Sequence, residues 1–441
     1  MSAARETALR VLNACRVNGA WADAALRSQL DRGGLSAADA ALCSRLVYGV
    51  MQNRLLLDFY LGAFCTQKLD HLQPPLADIL RLGACQILLL DKVPDHAAVH
   101  ESVELAKRSG RGAAAGLVNA VLRALAQNKG SLPPLPERDD VRYLSLRYSH
   151  PKWLVKRILP ILGREETESF LAADNSIPPL TVQVNPLRTA EADLIAELMA
   201  SGVTAAPHPW IPGCLELSGV GDVAALPAFR EGKLLVQDGA AHLVSLAAAV
   251  RPGQSVLDLC AAPGGKSFGA AFAMEDRGSI LSCDVHENKL RRIQDGAARL
   301  GLTCIQTAVM DGRVFREELA SRFDTVLVDA PCSGLGIIRK KPDIRYKRAD
   351  DLFSLPVLQS QLLENAARYV RPGGVLVYST CTVLPEENQQ VTASFLAGSA
   401  DFSKEAFSLP GRGETDGELT LWPQRHGTDG FYICRMRRRD D

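Results

Sequence analysis

From about residue 236 onward the chain alternates short apolar runs with longer amphipathic ones, and this alternation restricts the fold more than any other feature. SVLDL (255–259), SILSCD (279–284), TCIQTAV (303–309), TVLVDA (325–330) and VLVYST (375–380) read as strands. HENKLRRIQDGAARLG and LPVLQSQLLENAARYV, lying between strands, repeat apolar residues at helical spacing. Strands separated by helices cannot pair as hairpins; they build a parallel sheet covered on both faces, with right-handed crossovers. The final run, DGFYICRMRR, reads as one more strand at an antiparallel edge. Ligands of such sheets bind beyond the C-terminal strand ends. The acids and cysteines of this region fall there.

The preceding half is organised differently. Residues 1 to about 130 repeat alanine and leucine at helical spacing, with breaks at Gly33-Gly34, Pro74-Pro75, Pro94 and Gly110. Ser36 and Asp39 form a capping-box start, with Asp replacing the usual Glu. Then GSLPPLPERDD (130–140) reads as a linker. The helix SHPKWLVKRILPILG, with Lys152, Lys156 and Arg157, the strand LTVQVNP, the helix EADLIAELMASG and the strand CLELSG make a small α/β unit. The basic helix is either a solvated face or an RNA contact. Three domains are expected: an all-α domain at 1–135, a small α/β subdomain at 145–235, and the larger α/β domain at 236–441.

Charge does not point to a nucleic-acid partner by itself: 50 basic and 50 acidic residues cancel, so any basic binding surface must be local. The 11 cysteines show no C-x-x-C pair and no metal-ligand spacing with histidine, so no metal site is expected. Free thiols, no signal-peptide pattern and no uninterrupted run of eighteen apolar residues fit a cytoplasmic protein that stays off membranes.

The first strand runs into DLCAAPGGKSFGAA, where Gly264 and Gly265 let a ligand approach the backbone and a helix begins near Lys266. A P-loop would need glycine where Cys260 stands, and G-x-G-x-x-G is absent. The next strand ends at Asp284, about twenty residues beyond the glycines, where an acid accepts hydrogen bonds from ribose hydroxyls. Asp311 in VMDGR is either a turn-starting residue or a partner for an adenine amino group. With Asp329, these features occupy four successive strand ends and fit S-adenosylmethionine.

A methyl donor needs an acceptor. Carbon 5 of a pyrimidine becomes nucleophilic when a thiolate adds at carbon 6, after which a base removes the carbon 5 proton and the thiolate leaves. VLVDAPCSGLG (326–336) places Asp329 and Cys332 at one strand end, and VLVYSTCTV places Cys381 at another. A single cysteine at such a place is more often a buried hydrophobe. Two of them beside a methyl-donor cradle favour chemistry.

DLCAAPGGKS, DAPCSGLG and STCT resemble the signature motifs of the RNA cytosine-C5 methyltransferases of the NOL1/NOP2/Sun type; GIIRKKPDIR and GTDGFYICRM resemble further segments. Residues 1–130 are similar to the helical NusB-like RNA-binding domain, and YSHPKWLVKR to the opening of the family's small RNA-binding subdomain. The resemblance covers essentially the whole chain and points to the Sun (Fmu) branch, bacterial enzymes that methylate a cytidine in 16S, small-subunit ribosomal RNA. It implies an α/β Rossmann-like class I methyltransferase domain, S-adenosyl-L-methionine as cofactor, and a monomer acting on 16S rRNA or an assembly particle. It implies Cys381 as nucleophile, Cys332 as the thiol aiding product release, and Asp329 at both the target base and the cofactor. The implied cofactor site is Cys260, Ala261, Ala262, Pro263, Gly264, Gly265 and Lys266 with Asp284 and Asp311. LLVQDGAAHLV (234–244) corresponds to part of the cofactor pocket wall, with Leu235 where an aromatic is common. The run Arg339, Lys340, Lys341, Arg345, Lys347 and Arg348 is expected at the RNA.

Overall fold

The computed structural model describes residues 3–347, 352 and 354–440. The chain divides into two compact units, one of residues 1–176 with 338–347, the other of 177–337 with 348–441.

The first unit is helical: α1 (Ala3–Asn18), α2 (Ala22–Asp31), α3 (Ala37–Phe64), α4 (Leu76–Leu89), α5 (Asp95–Ala106), α6 (Ala115–Gln127), α7 (Asp140–Arg147), α8 (Lys152–Leu162) and α9 (Arg164–Asp174). Ser36 caps α3 by accepting the Asp39 N–H, as its sequence anticipates. α4 is buried almost all round, so it forms the centre of the bundle. Its one buried cation, Arg81, is satisfied by both oxygens of Asp58 at 2.7 and 2.9 Å and by Asp78 at 2.9 Å. The break at residue 176 falls inside the stretch 145–235 expected as the small α/β subdomain. α7 to α9 belong with the first unit, although the proline-rich stretch before them reads as a linker.

The segment 338–347 explains part of this. Arg345 is fully buried in the first unit. Its Nη1 donates to the carbonyls of Gln52, Tyr148 and Ser149 at 3.2–3.3 Å and to Asn175 Oδ1 at 2.8 Å, and Nη2 reaches the Asp174 carbonyl at 3.4 Å. The neighbouring Tyr346 hydroxyl donates to the Met51 carbonyl, and Asp343 accepts the Ala22 N–H. This corrects the expectation of a continuous RNA-facing basic run. Arg345 is an internal strut, Arg339 is also buried, Lys347 lies over the Trp21 ring, and Arg348 lies outside the described residues. Arg345→Ala would remove the hydrogen bonds that this fully buried guanidinium gives to its acceptors, so it is expected to destabilise the first unit by about 2–4 kcal/mol. Urea unfolding of the full chain measures this, and an unchanged first transition would contradict the strut.

The second unit opens with β1 (Leu180–Val184), α10 (Glu191–Ala200), β2 (Thr204–Pro207), β3 (Cys214–Ser218), the short α11 (Pro227–Arg230) and β4 (Leu234–Val236). The four strands form an antiparallel sheet in the order β2-β3-β1-β4. Val182 and Val184 pack with Leu194 and Leu198 of α10 on one face. Thr181 and Gln183, alternating with them, face the other way.

The larger part follows: α12 (Gly239–Ala248), β5 (Ser255–Asp258), α13 (Gly265–Ala273), β6 (Ser279–Asp284), α14 (Glu287–Leu300), β7 (Ile305–Val309), β8 (Phe323–Asp329), α15 (Leu355–Tyr369), β9 (Val370–Thr380), α16 (Gln389–Gly398), β10 (Phe402–Lys404), β11 (Ser408–Leu409), β12 (Gly413–Glu414), β13 (Glu418–Leu421), α17 (Pro423–His426) and β14 (Phe431–Arg438). The sheet order is β10-β14-β9-β8-β5-β6-β7, with β13 also paired to β14. β9, β8, β5, β6 and β7 are parallel and β14 is antiparallel. Alternation along the strands serves two cores. Val256, Val375, Val377 and Ile433 pack with α12, α13 and α14; Leu257, Leu376, Tyr378 and Tyr432 pack with α15 and α16. β14 is antiparallel as expected but is not an edge, because β13 and β10 share its outer side. The fold is a Rossmann-like domain with a mixed sheet.

Candidate active site

Five loops leave the C-terminal ends of β5, β6, β7, β8 and β9, and they carry the residues singled out in the sequence. After β5 the chain turns at Cys260, whose neighbour Ala261 donates its N–H to the Cys283 carbonyl of β6 at 2.8 Å. Gly264 has φ +110°, a conformation that side-chain-bearing residues rarely adopt, and a Cβ there would lie 2.5 Å from the Phe268 ring. Gly265 starts α13, and a Cβ there would lie 2.9 Å from Gln237 Nε2. So the glycines let the helix N-terminus come close to the V-Q-D segment and leave its first amides open to a ligand. Asp238, next in that segment, caps α12 and also accepts the Asp429 N–H at 3.0 Å.

Asp284 ends β6, with Oδ1 accepting the His286 N–H at 3.0 Å and Lys289 Nζ 3.6 Å away. Asp311 follows β7 and is gripped by Arg313, Nε at 2.9 and 3.1 Å and Nη2 at 2.7 Å. Those bonds hold its pKa below the usual carboxylate value. A cleft of about 300 Å³ is lined by Cys260, Asp284, Val285, Met310 and Asp311 among others. The structure therefore brings three of the expected cofactor residues to one cleft. Val285 and Met310 were not anticipated; the signal was an apolar residue flanking each strand-end acid. Asp258, also unanticipated, is wholly buried at the end of β5 and accepts the Ser267 hydroxyl at 2.7 Å, while burial pushes its pKa up to about 6.

Asp329, Cys332 and Cys381 form the second cluster. Asp329 and Ser379 are partners in the β8–β9 register, so Cys381 lies two residues past the paired position. The Cys332 and Cys381 sulfurs are 3.2 Å apart. The hydrogen bond to Cys381, together with burial, raises the Cys332 pKa far above its ordinary value. Asp329 accepts from Lys266 Nζ at 2.6 Å and from the Ser379 hydroxyl at 3.0 Å. Burial pulls the Lys266 pKa down, but the Asp329 charge and hydrogen bond outweigh it, and the ammonium also faces Cys381 and lies over the Phe431 ring. Thus Lys266 links the glycine loop to the cysteines, a role its place in the loop sequence does not reveal. Cys260 is different: burial raises its pKa far above normal, which leaves it an inert thiol of the loop.

The loop bearing Cys332 is pinned from behind. Glu387, almost fully buried, accepts the Ser333 N–H at 2.8 Å and Gln359 Nε2 at 3.0 Å, and Gln359 also donates to the Pro331 carbonyl. Ser333 donates its hydroxyl to Thr382, one residue past Cys381, at 2.7 Å. Gly336 and Gly430 pack backbone to backbone, where any Cβ would collide. Among the described residues no group of acids, histidines and cysteines could hold a metal ion.

A doubly covered sheet with a glycine loop and acids at successive strand ends defines an S-adenosylmethionine-dependent methyltransferase. Comparison with known proteins narrows this. The family described as 16S rRNA methyltransferase RsmB/F matches residues 245–437, the NusB family residues 2–127, and the RsmF/B-like ferredoxin-like domain residues 150–224. The probable ribosomal RNA small subunit methyltransferase B of Bacillus subtilis is 38% identical over 443 residues, covering 99% of this chain and 98% of its own. The ribosomal RNA small subunit methyltransferase B of Klebsiella pneumoniae is 34% identical over 409 residues, covering 92% and 91%. The crystal structure of PH0851 matches 98% of both chains with a TM-score of 0.82 at 28% identity. NSun6 from Pyrococcus horikoshii, solved with SFG, matches 66% of this chain and 99% of its own with a TM-score of 0.57 at 21% identity, and shares the fold. The chain belongs to the RsmB/F family of 16S rRNA methyltransferases. It is an rRNA methyltransferase, and its cofactor is S-adenosylmethionine.

Proposed function

We propose that the enzyme methylates carbon 5 of a cytidine in 16S rRNA through a covalent bond between Cys381 and carbon 6. The observation that carries this reading is the pair of sulfurs, 3.2 Å apart, at the ends of neighbouring parallel strands beside the cofactor loop.

The cofactor, when bound, supplies an electrophilic methyl group. The residues suited to hold it are Cys260 to Lys266, Asp284 and Asp311, with Val285 and Met310 as apolar walls. The fit rests on the open amides at the start of α13 and on two strand-end carboxylates in one cleft. Asp284 would accept ribose hydroxyls. Asp284→Asn is expected to weaken S-adenosylhomocysteine binding by about 1.5–3 kcal/mol, about ten- to a hundredfold in Kd. Calorimetric titration measures it, and an unchanged Kd would remove Asp284 from the cofactor site.

On the RNA side, Cys381 attacks as thiolate. The Lys266 ammonium faces that sulfur, and the Cys332 sulfur lies 3.2 Å from it. Addition to carbon 6 moves the ring electrons to carbon 5, which takes the methyl. Asp329, held ready by Lys266 and Ser379, suits the 4-amino group of cytosine, since a carboxylate only accepts hydrogen bonds and that amine only donates. Once the Cys381 sulfur is a thioether it is a poor acceptor, so Cys332 loses its partner. Cys332 gives its own proton to solvent, takes the carbon 5 proton in its place, and the carbon–sulfur bond breaks to return Cys381 as thiolate, so one proton is released for each methyl transferred. The target base must be unstacked to reach these sulfurs, which favours a loop nucleotide. The same reading takes the enzyme as a monomer of the reducing cytoplasm, consistent with its eleven free cysteines, acting on 16S rRNA bare or in an assembling particle.

The decisive experiment transfers labelled methyl from the cofactor to 16S rRNA, then digests the RNA to nucleosides. Label in 5-methylcytidine is the expected result. Label on any other atom or base overturns the reading.

A further inference from the structure

Glu387 and Asn388 stand side by side between β9 and α16, and they are 2% and 0% exposed. Each grips the residues on both sides of one cysteine. Glu387 takes the flanks of Cys332. Its Oε2 accepts the Ser333 N–H at 2.8 Å and Gln359 Nε2 at 3.0 Å, and the same Nε2 donates to the Pro331 carbonyl at 2.9 Å. Asn388 takes the flanks of Cys381. Its Oδ1 accepts the Thr380 hydroxyl, and its Nδ2 donates to the Thr382 carbonyl at 3.0 Å. The pair is tied to the sheet in turn, because the Tyr378 hydroxyl of β9 donates to the Glu387 carbonyl at 2.7 Å.

Stability alone does not account for Glu387. Its carboxyl meets amide donors rather than a cation, and Oε1 is buried without a partner. A carboxylate buried in that way costs stability. What it secures is the path of the chain on either side of Cys332. The two sulfurs lie 3.2 Å apart and must serve neighbouring ring carbons, Cys381 at carbon 6 and Cys332 at carbon 5. Reactions between held groups are sensitive to placement, and a shift near 1 Å costs about a hundredfold in rate.

We propose that Asn388 and Glu387 are positioning residues that set the two sulfurs separately, Asn388 for the attack by Cys381 and Glu387 for the proton removal by Cys332. The inference rests on the roles proposed above for the two cysteines. The Ser333 hydroxyl also bonds the Thr382 hydroxyl at 2.7 Å, a link that neither residue supplies. Loss of one grip therefore strikes one sulfur more than the other, and the two losses stop the reaction at different stages.

The test runs full-length Glu387→Ala and Asn388→Ala with 16S rRNA and S-adenosylmethionine on a denaturing gel, beside the native enzyme and Cys332→Ala. Glu387→Ala is expected to trap RNA as Cys332→Ala does, with turnover lower by about a hundredfold. Asn388→Ala should lose turnover by the same order and trap none. A role in folding alone would move both variants the same way. Glu387→Gln keeps an acceptor for the Ser333 N–H and should return turnover to within about tenfold of native. Binding of S-adenosylhomocysteine checks folding. Should an alanine variant fail that check, Gln359→Leu or Thr380→Val, each breaking one contact of a grip, takes its place with the same expected direction. Iodoacetamide labelling without RNA, read by peptide mass spectrometry, reports on the sulfurs directly. Cys332 should react about tenfold faster in Glu387→Ala, and Cys381 in Asn388→Ala. Labelling that moves at neither cysteine, no recovery by Glu387→Gln, or like behaviour of both variants on a gel where Cys332→Ala traps RNA overturns the proposal. If labelling moves as expected while Cys332→Ala itself traps nothing, the two grips stand and the assigned release step fails.

Discussion

Cys381→Ala is expected to abolish methyl transfer, with kcat lower by about 10⁴–10⁶-fold, the order that removing a covalent nucleophile costs. No RNA should remain attached to the variant on a denaturing gel. S-adenosylhomocysteine should still bind, since Cys381 lies outside the cleft that holds Asp284 and Asp311. The physical reason is that no neighbour can replace it. Among the described residues Cys332 is the only other sulfur shown in contact, and burial still raises its pKa once the Cys381 bond is gone. Transfer within tenfold of the native rate would exclude Cys381 as the attacking group.

Cys332→Ala is expected to behave in the opposite way on the same gel. Cys381 can still attack and carbon 5 can still be methylated, but the carbon 5 proton has no adjacent acceptor. The enzyme should therefore trap one equivalent of RNA as a complex that survives denaturation, and steady-state turnover should fall by about 10²–10⁴-fold, the usual worth of a positioned base. Adding Cys381→Ala to Cys332→Ala should remove the adduct. Should Cys332→Ala lose the adduct while Cys381→Ala keeps it, the two sulfurs exchange roles.

How far the fold could be read depended on how local its causes are. β5, β6, β8 and β9 were legible because each is largely buried and so carries an apolar run, while β7, at the sheet edge, is only partly buried. β2 and β13, four residues each, and β10, three residues, carry no such pattern. Missing β10 and β13 turned β14 into a supposed edge. The glycine loop and both cysteines could be placed at strand ends from the residues themselves, while the separate roles expected of the cysteines came from the family resemblance. Their electrostatics were not legible, because Lys266 and Asp329 are 63 residues apart and nothing local to either predicts the pair. The basic run after the DAPC loop was misread for a similar reason. Periodicity cannot tell a solvated arginine from one whose guanidinium replaces water for buried carbonyls, and the acceptors of Arg345 lie as far back as Gln52.

That long reach has a consequence for synthesis. The first unit is mostly made by residue 176, yet the partners of Gln52 and Met51 are Arg345 and Tyr346, 293 and 295 positions later. On the ribosome, at about 5–20 residues per second, the helices emerge many seconds before their strut. During that interval the Gln52 carbonyl and Asn175 Oδ1 lack the guanidinium that later donates to them. The first unit is thus completed late, when the segment just beyond Cys332 has left the ribosome.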